Sequence, residues 1–340
     1  MLKPRLDIHF SLRQRASFLW GKPYSPNRGE FMLDHSRSAI VLALQSLRLP
    51  QGAGVGMMAY NCHTVMNAIE QASCKPVFID VNEDLTIDIE DLKRKADSMS
   101  VLIVTHLFGI VNDVQRIKNE FPTLLIIEDC AHAYGIDHLY GDFVTFSFGQ
   151  GKLPSLGNGG MLVVNNDRYY DEVQTIYNQL PSYSIARSLK LFARLWMNSV
   201  LYLPWIYALF TLPMKQRRSS VSGKDRIEPR KICRGVSAMY ASEKRQISEK
   251  IKKRLNNAEA RVQEISKDID RYYVGINAFM LVTWCDNPSL LRDKMSKSHI
   301  DTATHFSHSI DWAKEFGYHC GDCPNTEMLI NHLLMIPTYE

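Results

Sequence analysis

Short apolar runs alternate with helical patterns along residues 31–148, and this alternation constrains the fold more than any other feature of the chain. Runs of four to six residues suit strands, and the segments between them place apolar residues at helical spacing. This rhythm predicts an α/β fold, with a mostly parallel sheet covered by helices on both faces. The predicted strands are residues 31–34, 55–59, 76–81, 101–106, 124–127 and 144–148, followed by an antiparallel edge strand at 161–164.

Two charged side chains follow neighbouring strands of this predicted sheet. Asp129 comes directly after the run at 124–127, and Lys152 follows the run at 144–148. Parallel strands end at one edge of a sheet, where α/β proteins bind their ligands, so the acid and the amine are expected to face one crevice. A structural ion pair at the sheet edge is the alternative, and the two residues alone leave both interpretations open.

A second candidate site lies at His35-Ser36-Arg37-Ser38, where a predicted helix begins. The first turn of a helix has free backbone N–H groups and the positive end of the helix dipole, which together bind anions such as phosphate. Ser36 or Ser38 could instead act as a plain helix N-cap.

Composition and charge exclude several classes of protein. A net charge of +4 over 340 residues does not indicate a nucleic-acid-binding protein, and the 22% of charged residues is typical of a soluble fold. Seven cysteines at irregular spacing and the absence of an apolar run at the N-terminus predict a cytoplasmic protein. His319, Cys320 and Cys323 have no second cysteine pair at zinc-site spacing, so no metal is expected.

Residues 195–212 form an uncharged stretch rich in Trp, Tyr and Leu, and they interrupt the strand–helix rhythm. The length reaches the lower limit for a membrane span, but Pro204 and Asn198 argue against one. Burial against the large domain or a second subunit is the favoured interpretation. An interfacial membrane anchor follows closely, because basic residues flank the aromatic ones.

The rest of the chain predicts a second domain. Residues 219–232 are polar and suit a linker, and apolar residues at helical spacing over 247–265 predict a long amphipathic helix. We therefore expect a large domain over residues 1–225, which includes the hydrophobic segment 187–218, and a smaller C-terminal α/β domain over 226–340.

Several motifs in this order resemble those of the DegT/DnrJ/EryC1/StrS family of pyridoxal-phosphate sugar aminotransferases. The resemblance implies the type I aminotransferase fold with a seven-stranded sheet, and it runs from about Asp34 to the C-terminus. The phosphate segment of the family is similar to SRSAI, its acidic motif to EDCAHAYG, and its Ser-Phe-x-x-x-Lys run to FSFGQGK. Near the end of the chain, THFSH and CPNTEMLINHLLMIP resemble motifs of the small domain.

The resemblance assigns a role to each candidate residue. Lys152 would hold pyridoxal phosphate as a Schiff base and transfer a proton, and Asp129 would keep the pyridine nitrogen protonated. His132 stands where the family has Gln or His, and it would contact the ring or its 3′-oxygen unless it is a structural histidine. The backbone amides of the Ser36, Arg37 and Ser38 segment, with the Ser147 hydroxyl, would bind the phosphate.

The chain departs from the family pattern at three places. Cys62 replaces the aromatic residue that stacks on the cofactor, so the resemblance leaves stacking to Cys62 or His63. Arg37 replaces a small residue and would add a charge near the phosphate. The segment through which a neighbouring subunit reaches the phosphate survives at best as Arg234 and Ser237.

The function implied by the resemblance is transfer of an amino group from glutamate or glutamine to a nucleotide-linked keto-sugar, in surface polysaccharide or glycoside biosynthesis. A homodimer without nucleic-acid partners is expected, in the cytoplasm or at the inner membrane through residues 195–212. Lys152 argues against the related dehydratase branch, which has histidine there. The rival hypothesis is an inactive or membrane-associated family member that acts as a binding protein.

Overall fold

A seven-stranded sheet is the main feature of the computed structural model, which describes residues 2–216 and 223–339. Its strands are β1 (Glu30–Leu33), β2 (Gly54–Met58), β3 (Lys75–Ile79), β4 (Val101–Thr105), β5 (Leu125–Asp129), β6 (Phe143–Ser147) and β7 (Gly160–Val164). They lie in the order β1-β7-β6-β5-β4-β2-β3. The five strands from β2 to β6 pair in parallel, which confirms the predicted mostly parallel α/β sheet.

The prediction for β7 was half right. The strand is antiparallel to β6, but it is not at the edge, because β1 pairs with its other side. A short apolar run predicts a strand but does not predict which strands lie beside it. Glu30 of β1 pairs with Val163 of β7, although the two residues are far apart in the sequence.

Helices cover both faces of this sheet, so its strands are buried on both sides and their sequences are continuously apolar. Successive residues of β4 alternate between two separate cores, with Ile103 facing one and Leu102 and Val104 facing the other. The first six helices are α1 (Leu12–Trp20), α2 (Ser36–Ser46), α3 (His63–Gln71), α4 (Ile89–Lys95), α5 (Val114–Glu120) and α6 (Tyr170–Gln179).

The first turn of α2 lies directly on the start of β7. Gly160 permits this contact, because a Cβ at that position would overlap the backbone of His35 and Ser36. Residues 38–44 of the helix are buried without a break, which secures it against the sheet. The N-terminus of α2 is thereby held at the carboxyl ends of the parallel strands.

Replacing Gly160 with Ala should test how much stability depends on this close approach. The added methyl forces α2 away from β7, so we expect the free energy of unfolding to fall by about 1–3 kcal/mol, as overpacking usually costs. Urea denaturation provides the measurement. Gly149→Ala is the matched control, because a Cβ there meets its nearest neighbour at an ordinary 3.4 Å. Equal stabilities of the two variants would contradict the role given to Gly160.

The hydrophobic segment forms a bent pair of helices on the surface. It comprises α7 (Ile185–Leu201), the short α8 (Pro204–Ile206), a π-helical turn (Tyr207–Thr211) and α9 (Leu212–Gln216). Leu191 and Leu195 of α7 pack into the core beside β6 and β7, yet Trp196, Trp205 and Phe210 are more than half exposed. The predicted burial against the large domain is therefore right for one face of the segment and wrong for the rest, whereas burial against a second subunit stays a prediction.

No single helix among the described residues is long and apolar enough to cross a bilayer. Ile185–Leu201 and Pro204–Met214 reach that length and composition together, but they meet at an angle of 75°.

The predicted linker at 219–232 packs against the large sheet over the part that the structure describes, whereas residues 219–222 lie outside the described residues. The Asp34 N–H donates to the Arg230 carbonyl at 3.0 Å, and the Ile232 N–H donates to the Met32 carbonyl at 3.1 Å. This segment leads into α10 (Arg234–Glu243), which packs on α1. Polar composition alone did not reveal these backbone hydrogen bonds, which need no apolar side chain.

A smaller antiparallel sheet follows, in the order β10-β9-β8. Its strands are β8 (Arg271–Val274), β9 (Leu281–Trp284) and β10 (Leu333–Ile336), and its helices are α11 (Ile247–Ile265), α12 (Pro288–Lys297), α13 (Ser309–Lys314) and α14 (Pro324–Leu329). The long helix α11 coincides with the predicted amphipathic helix. The division at residue 225 stays a prediction.

Candidate active site

The candidate residues gather at the carboxyl edge of the large sheet. Asp129 is the last residue of β5 and Ser147 the last residue of β6, while Lys152 follows in the loop after β6. The start of α2 lies at the same edge because Gly160 brings it onto β7. This is the position at which open α/β sheets place their ligands.

The Asp129 carboxylate is held through one of its two oxygens. Oδ1 accepts hydrogen bonds from the Ala131 N–H at 3.0 Å and from the Thr145 hydroxyl at 3.2 Å, and Oδ2 has no hydrogen bond within the described residues. Asp129 is 4% exposed. Burial raises the pKa of this carboxyl, while the Ala131 N–H and the charge of Lys152 oppose the rise. One oriented oxygen is therefore left for a further donor, and a cationic donor would relieve the cost of burial.

Lys152 is a mostly buried amine whose pKa is lowered. Burial lowers the pKa to about 8, although the negative charges of Cys62 and Asp129 oppose the shift. The Nζ atom lies 5.1 Å from the centroid of the Phe279 ring. No carboxylate oxygen of the described residues lies within 4.0 Å of this amine, so Asp129 and Lys152 do not form the structural ion pair that was the alternative.

His132 is buried, and its orientation is fixed. Its Nδ1 accepts a hydrogen bond from the Phe108 N–H at 3.2 Å, which assigns the ring proton to Nε2. The ring stacks on Phe279 at 4.4 Å with an interplanar angle of 17°. Burial, followed by the charges of Lys152 and His305, lowers its pKa well below the usual range. His132 is thus a neutral donor beside the lysine.

The start of α2 carries the features of an anion site. His35 is its N-cap, and no side chain caps the helix, so the first N–H groups are left without a side-chain acceptor. The alternative N-cap by Ser36 or Ser38 is wrong, because the Ser38 hydroxyl turns away and donates to Asp34 Oδ1 at 2.7 Å. Arg37 adds a positive charge near His63, where it opposes the rise in pKa that the hydrogen bond with Cys62 gives that ring.

Ser36 connects this helix end to the buried acid. Its hydroxyl donates to Thr145 Oγ1 at 3.4 Å, and Thr145 in turn donates to Asp129. The Ser147 hydroxyl accepts from the Gly149 N–H at 3.4 Å at the start of the lysine loop. These contacts hold both ends of the site in fixed relation.

The side chains of Cys62 and His63 have different neighbours. The Cys62 thiol lies 3.9 Å from His63 Nδ1 and accepts a hydrogen bond from the Thr64 hydroxyl at 3.2 Å. Burial opposes ionisation of the thiol, but the hydrogen bonds and charge of these two neighbours outweigh it and lower the pKa of Cys62. The His63 ring lies edge-on to Trp312 at 4.7 Å. Of the two residues, Cys62 is the one whose charge acts on Lys152.

The small sheet supplies site residues that sequence reasoning left out of the site. His305 and Phe279 come from beyond residue 270, and they join Phe108 and Phe306 around His132. His305 Nε2 is buried without a hydrogen-bond partner in the described part of the chain, and burial followed by the charge of Lys152 lowers its pKa to about 3. The THFSH motif was a signal for His305, whereas Phe279 had none.

Backbone contacts attach this small sheet to the site. Gly275 approaches Gly109 so closely that a Cβ on Gly275 would overlap the Gly109 backbone, and the Ile276 N–H donates to the Gly109 carbonyl at 2.9 Å. The Asn277 side chain donates to the His132 carbonyl at 3.0 Å. The position of His132 therefore depends on both sheets.

No group of three or more His, Cys, Asp or Glu side chains within residues 2–216 and 223–339 is arranged to hold a metal ion. Cys320 and Cys323, the pair weighed as half of a zinc site, contact Glu327 and Lys95 instead.

The donor set fits pyridoxal phosphate. The free Oδ2 of Asp129 suits a protonated ring nitrogen, the uncapped start of α2 suits a phosphate, and the amine of lowered pKa suits an aldehyde carbon. The sheet, the acid and the lysine together define the class of pyridoxal-phosphate enzymes of fold type I.

Sequence comparison matches part of the chain to one family. Residues 35–188, a little under half of the chain, match the sequence model of the DegT/DnrJ/EryC1/StrS aminotransferase family. The likeness to solved structures extends over the whole chain. A putative sugar aminotransferase of Streptococcus pneumoniae, Spr1654, in its PLP-form covers 100% of this chain and 93% of its own, with a TM-score of 0.74 at 14% identity.

Two curated relatives differ in how much of the chain they match. GDP-perosamine synthase of Vibrio cholerae is 32% identical over 151 residues, which is 42% of this chain and 41% of that protein. An uncharacterised protein of Methanocaldococcus jannaschii is 23% identical over 342 residues, or 93% of this chain and 82% of the relative. The match to the synthase thus spans about two fifths of its length. These similarities confirm the fold type and the cofactor class that the motifs implied, and over residues 35–188 they agree with the family that the motifs resemble.

The lowered pKa of Lys152 predicts a stability cost in the cofactor-free protein. Below about pH 8 the folded protein carries a buried charge, so Lys152→Met should raise the free energy of unfolding by about 1–3 kcal/mol at pH 7. Between pH 8 and 10.5 the folded protein loses this proton before the unfolded chain does, so wild-type stability rises and the difference should shrink. Urea denaturation across this pH range measures the effect.

Lys252→Met provides the control, because Lys252 is exposed on α11 and its replacement should change stability by less than about 0.5 kcal/mol. A gap between wild type and Lys152→Met that stays constant from pH 7 to 10.5 would show that the amine is not the cause.

Proposed function

We propose that this protein is a pyridoxal-phosphate-dependent aminotransferase that moves an amino group from glutamate or glutamine to a nucleotide-linked keto-sugar, for polysaccharide or glycoside biosynthesis. One observation carries the proposal. An anion-binding helix start, a carboxylate with one free oxygen and an amine of lowered pKa meet at a single sheet edge without pairing with one another.

When bound, pyridoxal phosphate supplies an electron-accepting ring that stabilises negative charge at the substrate carbon next to nitrogen. The N–H groups of Ser36, Arg37 and Ser38 would bind its phosphate, with Arg37 adding charge. Asp129 Oδ2 would accept the hydrogen bond of the ring nitrogen, and the hydrogen bond from the Thr145 hydroxyl to Oδ1 fixes the orientation of the carboxylate. The resulting ion pair would stabilise an acid that burial alone disfavours.

Lys152 is suited to act as nucleophile and base. With a pKa of about 8, roughly one tenth of its amine is neutral at pH 7, a far larger fraction than for an exposed lysine. The rings of Phe279 and Phe108 beside His132 keep water away from the site, which maintains this shift. The neutral amine can therefore take a proton from the substrate carbon and donate it to a neighbouring atom within its reach.

His132 would orient the cofactor and does not act as a base. Its Nδ1 is occupied by the Phe108 N–H, so Nε2–H is the group left to donate toward a ring oxygen. Because its pKa lies well below the usual range, the ring stays neutral and does not repel the protonated Lys152.

A cavity beside the lysine loop offers cationic side chains to a substrate. It measures about 240 Å³, and it is lined by Lys250, Lys253 and Arg254 together with the acids Asp7 and Glu243, of which Glu243 pairs with Lys250. Arg254 is 6% exposed, and its nearest carboxylate oxygen, on Asp7, is 3.9 Å away. The Vibrio cholerae relative is named for a GDP-linked product, and the diphosphate of such a molecule would complement these side chains.

A homodimer is part of the proposal. Arg234, one remnant of the segment through which family members reach a neighbouring subunit, is exposed on α10. Ser237, the other remnant, is buried and accepts a hydrogen bond from the Tyr24 N–H of its own chain at 3.1 Å, so only Arg234 is free to contact a second copy.

Loading the purified protein with pyridoxal phosphate tests the cofactor assignment. Borohydride should fix the cofactor covalently on the peptide that contains Lys152, and mass spectrometry should lose this adduct in Lys152→Ala but keep it in Lys252→Ala. Amino transfer from glutamate or glutamine to nucleotide keto-sugars should fall by about 10²–10⁴-fold in Lys152→Ala, the usual contribution of a general base.

The rival hypothesis of an inactive binding protein predicts a different result. Under it, wild type would show no more amino transfer than Lys152→Ala with every nucleotide keto-sugar, whether or not the adduct forms. A wild-type protein that takes up no cofactor would refute the enzyme proposal outright.

A further inference from the structure

An exposed apolar surface covers the two arms Ile185–Leu201 and Pro204–Met214, and neither the core nor the proposed reaction uses it. Its large side chains are exposed by 50% or more at eight positions, a density that marks an interaction site. These positions are Ile185 (83%), Leu189 (58%), Trp196 (51%), Met197 (53%), Trp205 (53%), Leu209 (66%), Phe210 (58%) and Met214 (62%).

The helix α7 has three distinct faces. Leu191, Leu195 and Ser199 are buried in the large domain and attach the helix to it. Ile185, Leu189 and Trp196 follow the helical repeat on an exposed face. Packing of α7 is therefore already complete on one side, and its second apolar face is left for another contact.

The third face of α7 is basic. Arg187, Lys190 and Arg194 lie at spacings of three and four residues, which places them in one row along the helix. The three side chains line the same surface depression, together with Met197. An apolar face bordered by a row of basic side chains is the pattern of helices that lie in a membrane surface.

Charge along the sequence supports a negatively charged partner. Residues 173–224 contain no Asp or Glu, although the whole chain has 36 of them in 340 residues. The same stretch has seven basic residues, at positions 187, 190, 194, 215, 217, 218 and 224. Lys224 pairs with Glu70, and no carboxylate within the stretch offsets the other basic residues, which favours an anionic partner.

We propose that this surface binds anionic phospholipid bilayers peripherally. The aromatic and aliphatic side chains of both arms, Trp196, Trp205 and Phe210 among them, would enter the boundary between headgroups and acyl chains. Arg187, Lys190 and Arg194 would contact the lipid phosphates. The inference is independent of the proposed reaction.

Two other occupants fit less well. In a symmetric dimer through this surface the same region would meet itself, and residues 173–224 contain no carboxylate that could pair with the basic row. A transmembrane arrangement would require α7 to leave its site in the core at Leu191 and Leu195, and the 75° bend between the arms does not suit a continuous span.

Vesicle co-sedimentation of the full chain tests the proposal. We expect binding to phosphatidylcholine vesicles that contain phosphatidylglycerol and weak binding to phosphatidylcholine alone. The double variant W205S/F210S should lose most of this binding, whereas L12S/W20S, which removes two residues that are 80% and 79% exposed elsewhere, should keep it. Circular dichroism and thermal unfolding establish that each variant is folded.

A pair of charge variants distinguishes electrostatic binding to anionic lipid from nonspecific hydrophobic adsorption. R187Q/K190Q/R194Q should weaken binding to anionic vesicles by more than about tenfold, because each basic residue near an anionic surface contributes appreciably. K252Q/K267Q/K297Q removes the same charge from exposed sites in the C-terminal region and should change it little.

Three outcomes would overturn the proposal. They are equal binding of the two charge variants, no sedimentation of wild type with anionic vesicles at physiological salt, and dissociation of an oligomer by W205S/F210S without any vesicle binding by wild type. The last would assign the surface to a second copy of the chain.

Discussion

The hydrogen-bonded series from Ser36 through Thr145 to Asp129 is the contact on which the candidate site depends. It joins the first turn of α2 to the ends of β5 and β6, so the anion-binding end and the acidic end of the site are positioned together. The series forms because Gly160 lets the helix rest on β7. A side chain at Gly160 would push α2 away from β7 and so separate Ser36 from Thr145 and Asp129.

Exclusion of water sets the chemistry of this site as much as hydrogen bonding does. The same burial raises the pKa of Asp129 and lowers those of Lys152 and His132. Each shift favours the neutral form of its group. A ligand with a cationic nitrogen would relieve the shift of Asp129, and one with an electrophilic carbon would relieve that of Lys152. The free energy that burial of Asp129 and Lys152 costs would therefore be recovered in part when such a ligand binds.

Prediction from sequence succeeded where a local pattern determines structure. The strands β2 to β6 are buried on both faces, so their apolar runs were clear, and Asp129 and Lys152 stood out at the strand ends. Sequence reasoning missed what only tertiary contact determines. Phe279 is an ordinary apolar residue until folding places it on His132, and the Ser38 hydroxyl could be a helix cap until it is seen to bond Asp34. The exposed face of α7 was hidden for a similar reason, because Leu and Trp fit both a core and a surface contact.

The close contact between Gly109 and Gly275 bears on how the protein could be divided. A fragment that contained the seven-stranded sheet alone would keep Asp129 and Lys152 in sequence, but it would lose the Asn277 hydrogen bond to His132 and the cover of Phe279. Water would then reach the lysine, and its amine would regain the proton affinity of a surface group. The reactivity of Lys152 therefore depends on both sheets. A chimera of the first half of this chain and the second half of a relative would keep that reactivity only if the contact between Gly109 and Gly275 were kept as well.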